Sequence, residues 1–380
     1  MLESDGLPTE IWEAIIDCVW PDQEALQQCA LTCHGWLPRS RYNLYRRVSI
    51  LVPKQLSKLS RRLLTSPEEA ELVQELLLAP PDLIKPQQVV DAAFAVFARR
   101  LPCLTKLFVN LLLHGDPVHS RMTLDLSLRM SSHIANFPTL THVSLLHLAL
   151  PSFMALARTI VALPRLTSLR LHNVSWNTVG KIPPDFLSTE PGWLNLESIT
   201  VTSVWDSMPG ISLLFGITSR RSLKSIVLDS YAATAPEFSH ASHFILECAS
   251  LDTLVIHNTW PAHAGNFEAF GLTLTGVLNI VLLRGHARLV LDFAHVDYTS
   301  RQDIVLVASN LALVMQNELL RLGRSMLEGL EIRIWDNSDR STWWQAEIGP
   351  HFEGVVVRSL TMTVCEGWDG DVVRYEDGAV

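Results

Sequence analysis

Along residues 7–20, LPTEIWEAIIDCVW, apolar side chains recur at Ile11, Ile15, Ile16 and Val19, the spacing that gathers them on one side of a helix. Pro8 suits a first helical turn, and Glu10 lies where the N-terminal dipole favours an acid. Pro21-Asp22 interrupts the pattern. A second periodic stretch follows over residues 24–35, through Leu26, Cys29, Ala30 and Cys33 to a stop at Gly35, and a third short helix is predicted over residues 38–45. Three helices in about fifty residues cannot bury all of their own apolar surface, so the remainder must be covered by the next domain or by a partner.

Beyond residue 100 the pattern changes from helical period to a recurring Leu-x-x-Leu-x-Leu. It is read in LPCLTKLFV (101–109), FPTLTHVSL (137–145), LPRLTSLRL (163–171), GWLNLESITV (192–201), RRSLKSIVL (220–228), CASLDTLVI (248–256), LEGLEIRIW (327–335) and VVVRSLTMTV (355–364). The leading leucines fall at Leu104, Leu140, Leu166, Leu196, Leu223 and Leu251, with Leu278, Leu327 or Leu330, and Val357 as looser members. Most steps are roughly 26 to 30 residues, near the upper end for leucine-rich repeats. Recurrence at that period predicts one parallel strand and one return segment per repeat, with helices over stretches such as 152–163 and 241–248. The asparagine that usually closes such a repeat is displaced: Asn173 and Asn258 stand one place early, so an irregular arc is expected. Ahead of these repeats, residues 49–53 read as a first strand, 54–64 as a helix and 72–78 as a further degenerate repeat, with no flexible linker.

The fold class expected is therefore α/β, a helical module over residues 1–50 followed by a repeat solenoid with a parallel sheet over 51–380. With 380 residues and 48% hydrophobic content, a large core is available. Mean hydropathy is +0.20, yet no run approaches the roughly 18 apolar residues of a membrane span. Residues 104–113 and 278–283 are the greasiest and are interrupted by Lys106, Asn110 and Asn279, which suits buried strands. The acidic start is not a secretory signal, and the location expected is cytosol or nucleus. Six cysteines without a paired spacing are expected to be reduced and mostly buried.

A formal net charge of −9 argues against a general nucleic-acid binder, which needs a clustered positive field. One local exception is the run from Arg39 to Arg62, with Arg41, Arg46, Arg47, Lys54, Lys58 and Arg61 between and no acid among them. It reads as solvated helix faces or as an electrostatic partner surface.

The N-terminal module resembles an F-box. The residues that carry the resemblance are Leu7-Pro8-x-x-Ile11, Ile15-Ile16, the block Cys29-Ala30-Leu31-Thr32-Cys33-His34-Gly35-Trp36, and the closing RYNLYRRV of residues 41–48. Residues 36–41, WLPRSR, look like F-box proteins of mushroom-forming fungi, in which the F-box precedes irregular leucine-rich repeats. His34 departs from the family, which often carries Arg or Lys there. The resemblance implies docking onto the Skp-type adaptor of a cullin-RING ubiquitin ligase, with the repeats presenting a protein substrate. Leu7, Pro8, Ile11, Ile15, Cys33 and Trp36 are the adaptor-facing candidates, each with core packing as its alternative.

No nucleophile elbow, zinc-protease helix, phosphate-cradling loop or dinucleotide fingerprint is present, so no catalytic residue, cofactor or metal is assigned. Cys29-x3-Cys33-His34 reads as small apolar side chains, and the cluster Asp292, His295 and Asp297 as the wet polar side of a strand over 289–296. In each repeat the leucines point inward and the interleaved residues face the other side, which gives a polar strip. It runs through Lys106, Phe108, Asn110, His142 and Ser144, then Ser168, Arg170, His172, Ser198, Thr200 and Thr202. Ser225, Asp229, Thr253, His257, Arg284, Glu331 and Arg333 complete it. Aromatic residues recur after the strands at Trp176, Trp205, Tyr231, Trp260, Trp335 and Trp368, either as a recognition rim or as plugs between repeats. Substrate contact is assigned to Arg170, His172, Asp229, His257, Arg284, Trp176, Trp205 and Trp260. The function expected is that of a non-enzymatic substrate receptor, with a scaffold outside ubiquitination or a cryptic enzyme as the alternatives.

Overall fold

The computed structural model describes residues 8–20, 22–80, 86–111, 122–124, 132–176, 178, 194–202, 208–229, 244, 245, 247–258, 288–293, 305, 308–310, 312, 313, 315–317, 320, 329–335, 341–352 and 360–365. Three helices open it, α1 (Thr9–Val19), α2 (Gln23–Thr32) and α3 (Leu37–Arg46), as the apolar periodicity predicts. The Asp22 side chain accepts the Ala25 N–H at 2.9 Å and so caps α2. The helix ends earlier than Gly35, at Cys33, where the backbone turns extended. Ile16 and Leu26 are buried at 1% and 0% exposure. A polar clasp joins α1 to α3: the Asp17 carboxylate accepts from Arg39 Nε at 2.7 Å and Asn43 Nδ2 at 2.8 Å, and it also pairs with Arg39 Nη2. The Arg39 hydrogen bond holds the Asp17 carboxyl below its ordinary value.

Strand β1 (Arg47–Ile50) follows α3 directly, two residues ahead of the predicted start. Then come α4 (Pro53–Thr65), α5 (Pro67–Ala70), β2 (Glu75–Leu78), α6 (Pro86–Phe97), β3 (Lys106–Asn110), β4 (Met122–Thr123), β5 (His142–Leu150) and α7 (Phe153–Val161). Contact density divides the chain into two compact units, residues 1–166 with 176–180, and residues 167–175 with 181–380. In the first unit β1, β2, β3 and β5 pair in parallel, one after another, and β4 runs parallel to the end of β5. Leu107, Val109, Val143 and Leu145 of these strands line one apolar pocket with Phe94 of α6 and Leu156 and Ile160 of α7. The leucine positions therefore face the helices, as the repeat pattern requires.

Glu69 of α5 is the electrostatic centre of this unit's first layer. Its side chain, 2% exposed, accepts from Arg62 Nε at 2.5 Å and Nη2 at 3.0 Å and from Arg41 Nη2 at 2.8 Å, tying α5 to α4 and α3. Hydrogen bonding by Arg62, then by Arg41, holds its carboxyl below the ordinary 4.5 against the opposing effect of burial. A carboxyl whose folded value is depressed stabilises the fold above its unfolded value and loses that contribution as pH falls through the folded one. The urea midpoint of the first unit is accordingly expected to drop as pH falls below the ordinary carboxyl value of 4.5. Glu69→Gln removes part of that dependence and costs about 1–3 kcal/mol at neutral pH. An unchanged acid limb in the variant refutes the assignment.

The second unit carries β6 (Ser168–Trp176) except for its last residue, Trp176, together with β7 (Ser198–Thr202), α8 (Met208–Ile217), β8 (Ser225–Asp229), β9 (Thr253–Asn258), β10 (Arg288–Phe293), β11 (Gly329–Trp335), α9 (Ser341–Phe352) and β12 (Leu360–Cys365). Successive strands pair in parallel from β6 to β12. The register stacks Leu169, Ile199, Ile226, Leu254, Leu289 and Leu330 in one column and Leu171, Val201, Leu228, Ile256, Leu291 and Ile332 in the next. None of these twelve side chains is more than 3% exposed, and each fully buried one contributes about 1.5–3 kcal/mol. Phe215 of α8 stacks on Phe244 at 5.0 Å between ring centres. The strand read over residues 289–296 is found as β10, starting one residue earlier at Arg288, while the repeat anchor expected at Leu278 lies outside the described residues. Three residues before Leu289, where the other repeats carry an apolar anchor, the sequence has His286, so the pattern offered no leucine to find. Residues 278–283 lie outside the described set. Asn173, in β6, adopts a left-handed φ of 51° while 5% exposed, a conformation asparagine tolerates better than most residues.

Candidate protein-interaction sites

The first candidate is the outer side of the N-terminal helices. Because Ile16 faces the core, Ile11 and Ile15, one turn apart on α1, face out and are 46% and 43% exposed. Pro8, which precedes α1, and Cys33, which ends α2, are exposed as well. Leu31 is 80% exposed and falls outside the Leu26, Cys29, Ala30 periodicity, so the helical pattern alone does not mark it. Trp36 is half-buried, and its ring lies 5.0 Å from that of Trp12, so one part of it braces the module while the rest meets solvent. Leu7 lies outside the described residues. The expectation of mostly buried cysteines is also corrected: of the five described thiols only Cys248 is buried, and Cys18 and Cys33 are exposed.

The second candidate is the sheet side opposite the leucine columns. In the second unit it divides into two parts. On β6, β7 and β8 the residues Ser168, Arg170, His172, Ser198, Thr200, Ser225 and Val227 are all half-buried and reachable. The His172 ring meets Thr202 Oγ1 at 2.8 Å. From β9 to β11 the same side is mostly closed: Val255, His257, Val290, Asp292 and Glu331 are only 7%, 6%, 0%, 8% and 4% exposed, while Arg288 is exposed and Thr253 and Arg333 are half-buried. Buried ionisable groups need partners, and these have them. His257 Nδ1 lies 3.2 Å from Asp292 Oδ2. Glu331 accepts from Arg333 Nε at 2.8 Å and pairs with Arg288 Nη2 at 2.6 Å.

Two sequence expectations change here. His257, assigned to substrate contact, is an internal partner of Asp292, and Asp292, expected on the wet side of its strand, is buried beside it. The reason is register, which sets Asp292 directly opposite both His257 and Arg333. Removing the carboxylate by Asp292→Ala leaves a buried ring without that partner and is expected to cost about 1–3 kcal/mol in denaturant unfolding. An unchanged midpoint contradicts the pairing. Trp176, assigned to a recognition rim, is 6% exposed and packs edge-on against Phe153 at 5.5 Å, so it plugs the first unit instead. Arg170 and His172 remain accessible. Asp229 ends β8 in register with His257, its side chain outside the described set, and Arg284, Trp205 and Trp260 lie wholly outside it.

In the first unit the corresponding side is mostly closed, with Phe108, Asn110, Ser144 and Leu146 all buried. Lys106 pairs with Glu75 at 3.0 Å. Burial, then the Lys106 cation, push the His142 imidazole below its ordinary value. Arg288 was missed because the strand was read from residue 289, one place after its true start; the alternation of Arg288, Val290 and Asp292 marks it once the register is known. Among the described residues no helix is long and apolar enough to cross a membrane. Compared with known proteins, the chain matches no protein-family model and no curated sequence.

Proposed function

We propose that the chain is a non-catalytic adaptor, an F-box joined to leucine-rich repeats, which docks a Skp-type adaptor through α1 and α2 and presents a protein substrate on the sheet side of β6–β8. The observation that carries this reading is the apolar surface left on the helical module. Ile11, Ile15 and Leu31 stay in water although Ile16 and Leu26 already fill the interior. Covering such side chains at an interface is favourable by about 25 cal/mol per Å² of apolar area removed from water.

The repeat half of the reading is supported by the recurring LxxLxL, the stacked leucine columns and the parallel pairing of successive strands. Repeats of this kind expose a long surface for protein recognition. On β6–β8 that surface is mostly hydroxyls around Arg170 and His172, which suits hydrogen bonding to a polypeptide. Ubiquitin transfer takes place on other subunits of the ligase, in the cytosol or nucleus.

Affinity purification of the intact chain from cells tests the assignment. Recovery of a Skp-type adaptor together with a cullin supports it. Adaptor without cullin favours an assembly role outside ubiquitination, and an adaptor that never co-purifies overturns the proposal.

A further inference from the structure

The basic run between Arg39 and Arg62 is sorted by the fold into two groups. Five of its cations are engaged: Arg39 by Asp17, Arg41 and Arg62 by Glu69, Arg46 over the Trp20 ring and Arg47 over the Phe108 ring. Lys54, Lys58 and Arg61 are left. All three are exposed on α4, and among the described residues none of them meets a carboxylate. They stand at i, i+4 and i+7, one stripe of roughly 10 Å along the helix. The inward side of α4 buries Leu56 and Leu63, while Leu64, three residues after Arg61, is 61% exposed. The next acids in sequence, Glu68 and Glu69, come only after α4 has ended, and Glu69 is already taken by arginines.

We propose that this face of α4 docks an acidic helical segment of another protein, with carboxylates one turn apart over Lys54, Lys58 and Arg61 and an apolar side chain over Leu64. One-turn spacing of the cations matches the same spacing on a second helix. A polypeptide fits better than a nucleic acid on two counts. The chain as a whole carries a formal charge of −9, which repels an extended polyanion. A phosphate backbone also offers nothing apolar to Leu64. Exposed pairs are individually weak, so the contact is modest in affinity and sensitive to salt. Nothing in it depends on the adaptor assignment, because α4 follows the three N-terminal helices.

The test titrates the full chain into a fluorescent helical peptide with Glu at i, i+4 and i+7 and a Leu one turn on. The same peptide with Gln for Glu, and a short DNA duplex, serve as comparisons. Binding of the Glu peptide is expected to weaken about tenfold in Lys54→Glu/Lys58→Glu/Arg61→Glu, and to weaken in the wild type between about 50 and about 500 mM salt. An unshifted thermal melt shows that the variant folds; if it does not fold, the Lys54→Gln/Lys58→Gln/Arg61→Gln variant takes its place with the same expected direction. The proposal is overturned by equal binding of the Gln peptide, by affinity indifferent to the substitutions, by no detectable peptide binding at millimolar concentration, or by tighter binding of the duplex.

Discussion

Ile11→Glu combined with Ile15→Glu is expected to abolish capture of the Skp-type adaptor while leaving the fold intact. Both side chains are more than two-fifths exposed and lie one turn apart on α1. A charge at either position is therefore solvated in the free protein, and surface substitutions of this kind stay within about 0.5 kcal/mol. At an interface the same carboxylates must shed water against an apolar partner surface. The lost apolar burial and the added desolvation together amount to roughly 3 kcal/mol or more, at least about a hundredfold in affinity. The measurement is a pull-down titration of purified adaptor, read beside the thermal melt of the same variant. Undiminished capture removes α1 from the docking surface, and a collapsed melt means that these residues belong to the core. Trp36→Ala makes a useful contrast: its ring rests on Trp12, so it lowers stability as well as binding.

Phe153→Ala is expected to be the most destabilising single change among those considered. Phe153 begins α7, just after the Ser152 cap that accepts the Ala155 N–H at 3.2 Å, and its ring is fully buried. It meets Trp176 edge-on at 5.5 Å, and its N–H donates to the Thr178 carbonyl at 3.0 Å. Truncation leaves a cavity and exposes one edge of the indole. Buried phenylalanine truncations cost about 3–5 kcal/mol, and the edge-to-face contact accounts for about 0.5–1.5 kcal/mol of that order of effect. The urea midpoint of the first unit should fall by about 1–3 M, with Trp176 emission moving toward that of a hydrated indole. A loss below about 1 kcal/mol contradicts the packing described. Leu64→Ser, by comparison, changes an exposed position and should leave the midpoint unmoved.

The two candidate surfaces differ in how much of them could be read from the residues in order. On α1 the periodicity of Ile11, Ile15, Ile16 and Val19 identifies a helix and its apolar stripe, but not which isoleucine points inward. The clasp of Asp17 with Arg39 and Asn43 supplies that answer by fixing how α1 lies on α3. On the sheet side, the interleaved positions of each LxxLxL are readable, and Arg170 and His172 stand where the pattern places them. Whether a position is open or closed is decided by its neighbours on adjacent strands, which are 24 or more residues away in the chain. His257 is the example: polar, correctly placed, and yet taken up by Asp292, 35 residues later.

The sequence by itself determined the α/β class, the three opening helices, the period of the strands and the inward leucines, because each rests on a local apolar pattern or on its plain recurrence along the chain. Tertiary structure alone decided the burial of Trp176 and Asp292 and, among the described residues, the split of the basic run into five engaged cations and three that meet no carboxylate. Those outcomes depend on which distant residue arrives alongside, and a side chain's neighbours across a sheet or between helices are set by register and packing rather than by local pattern.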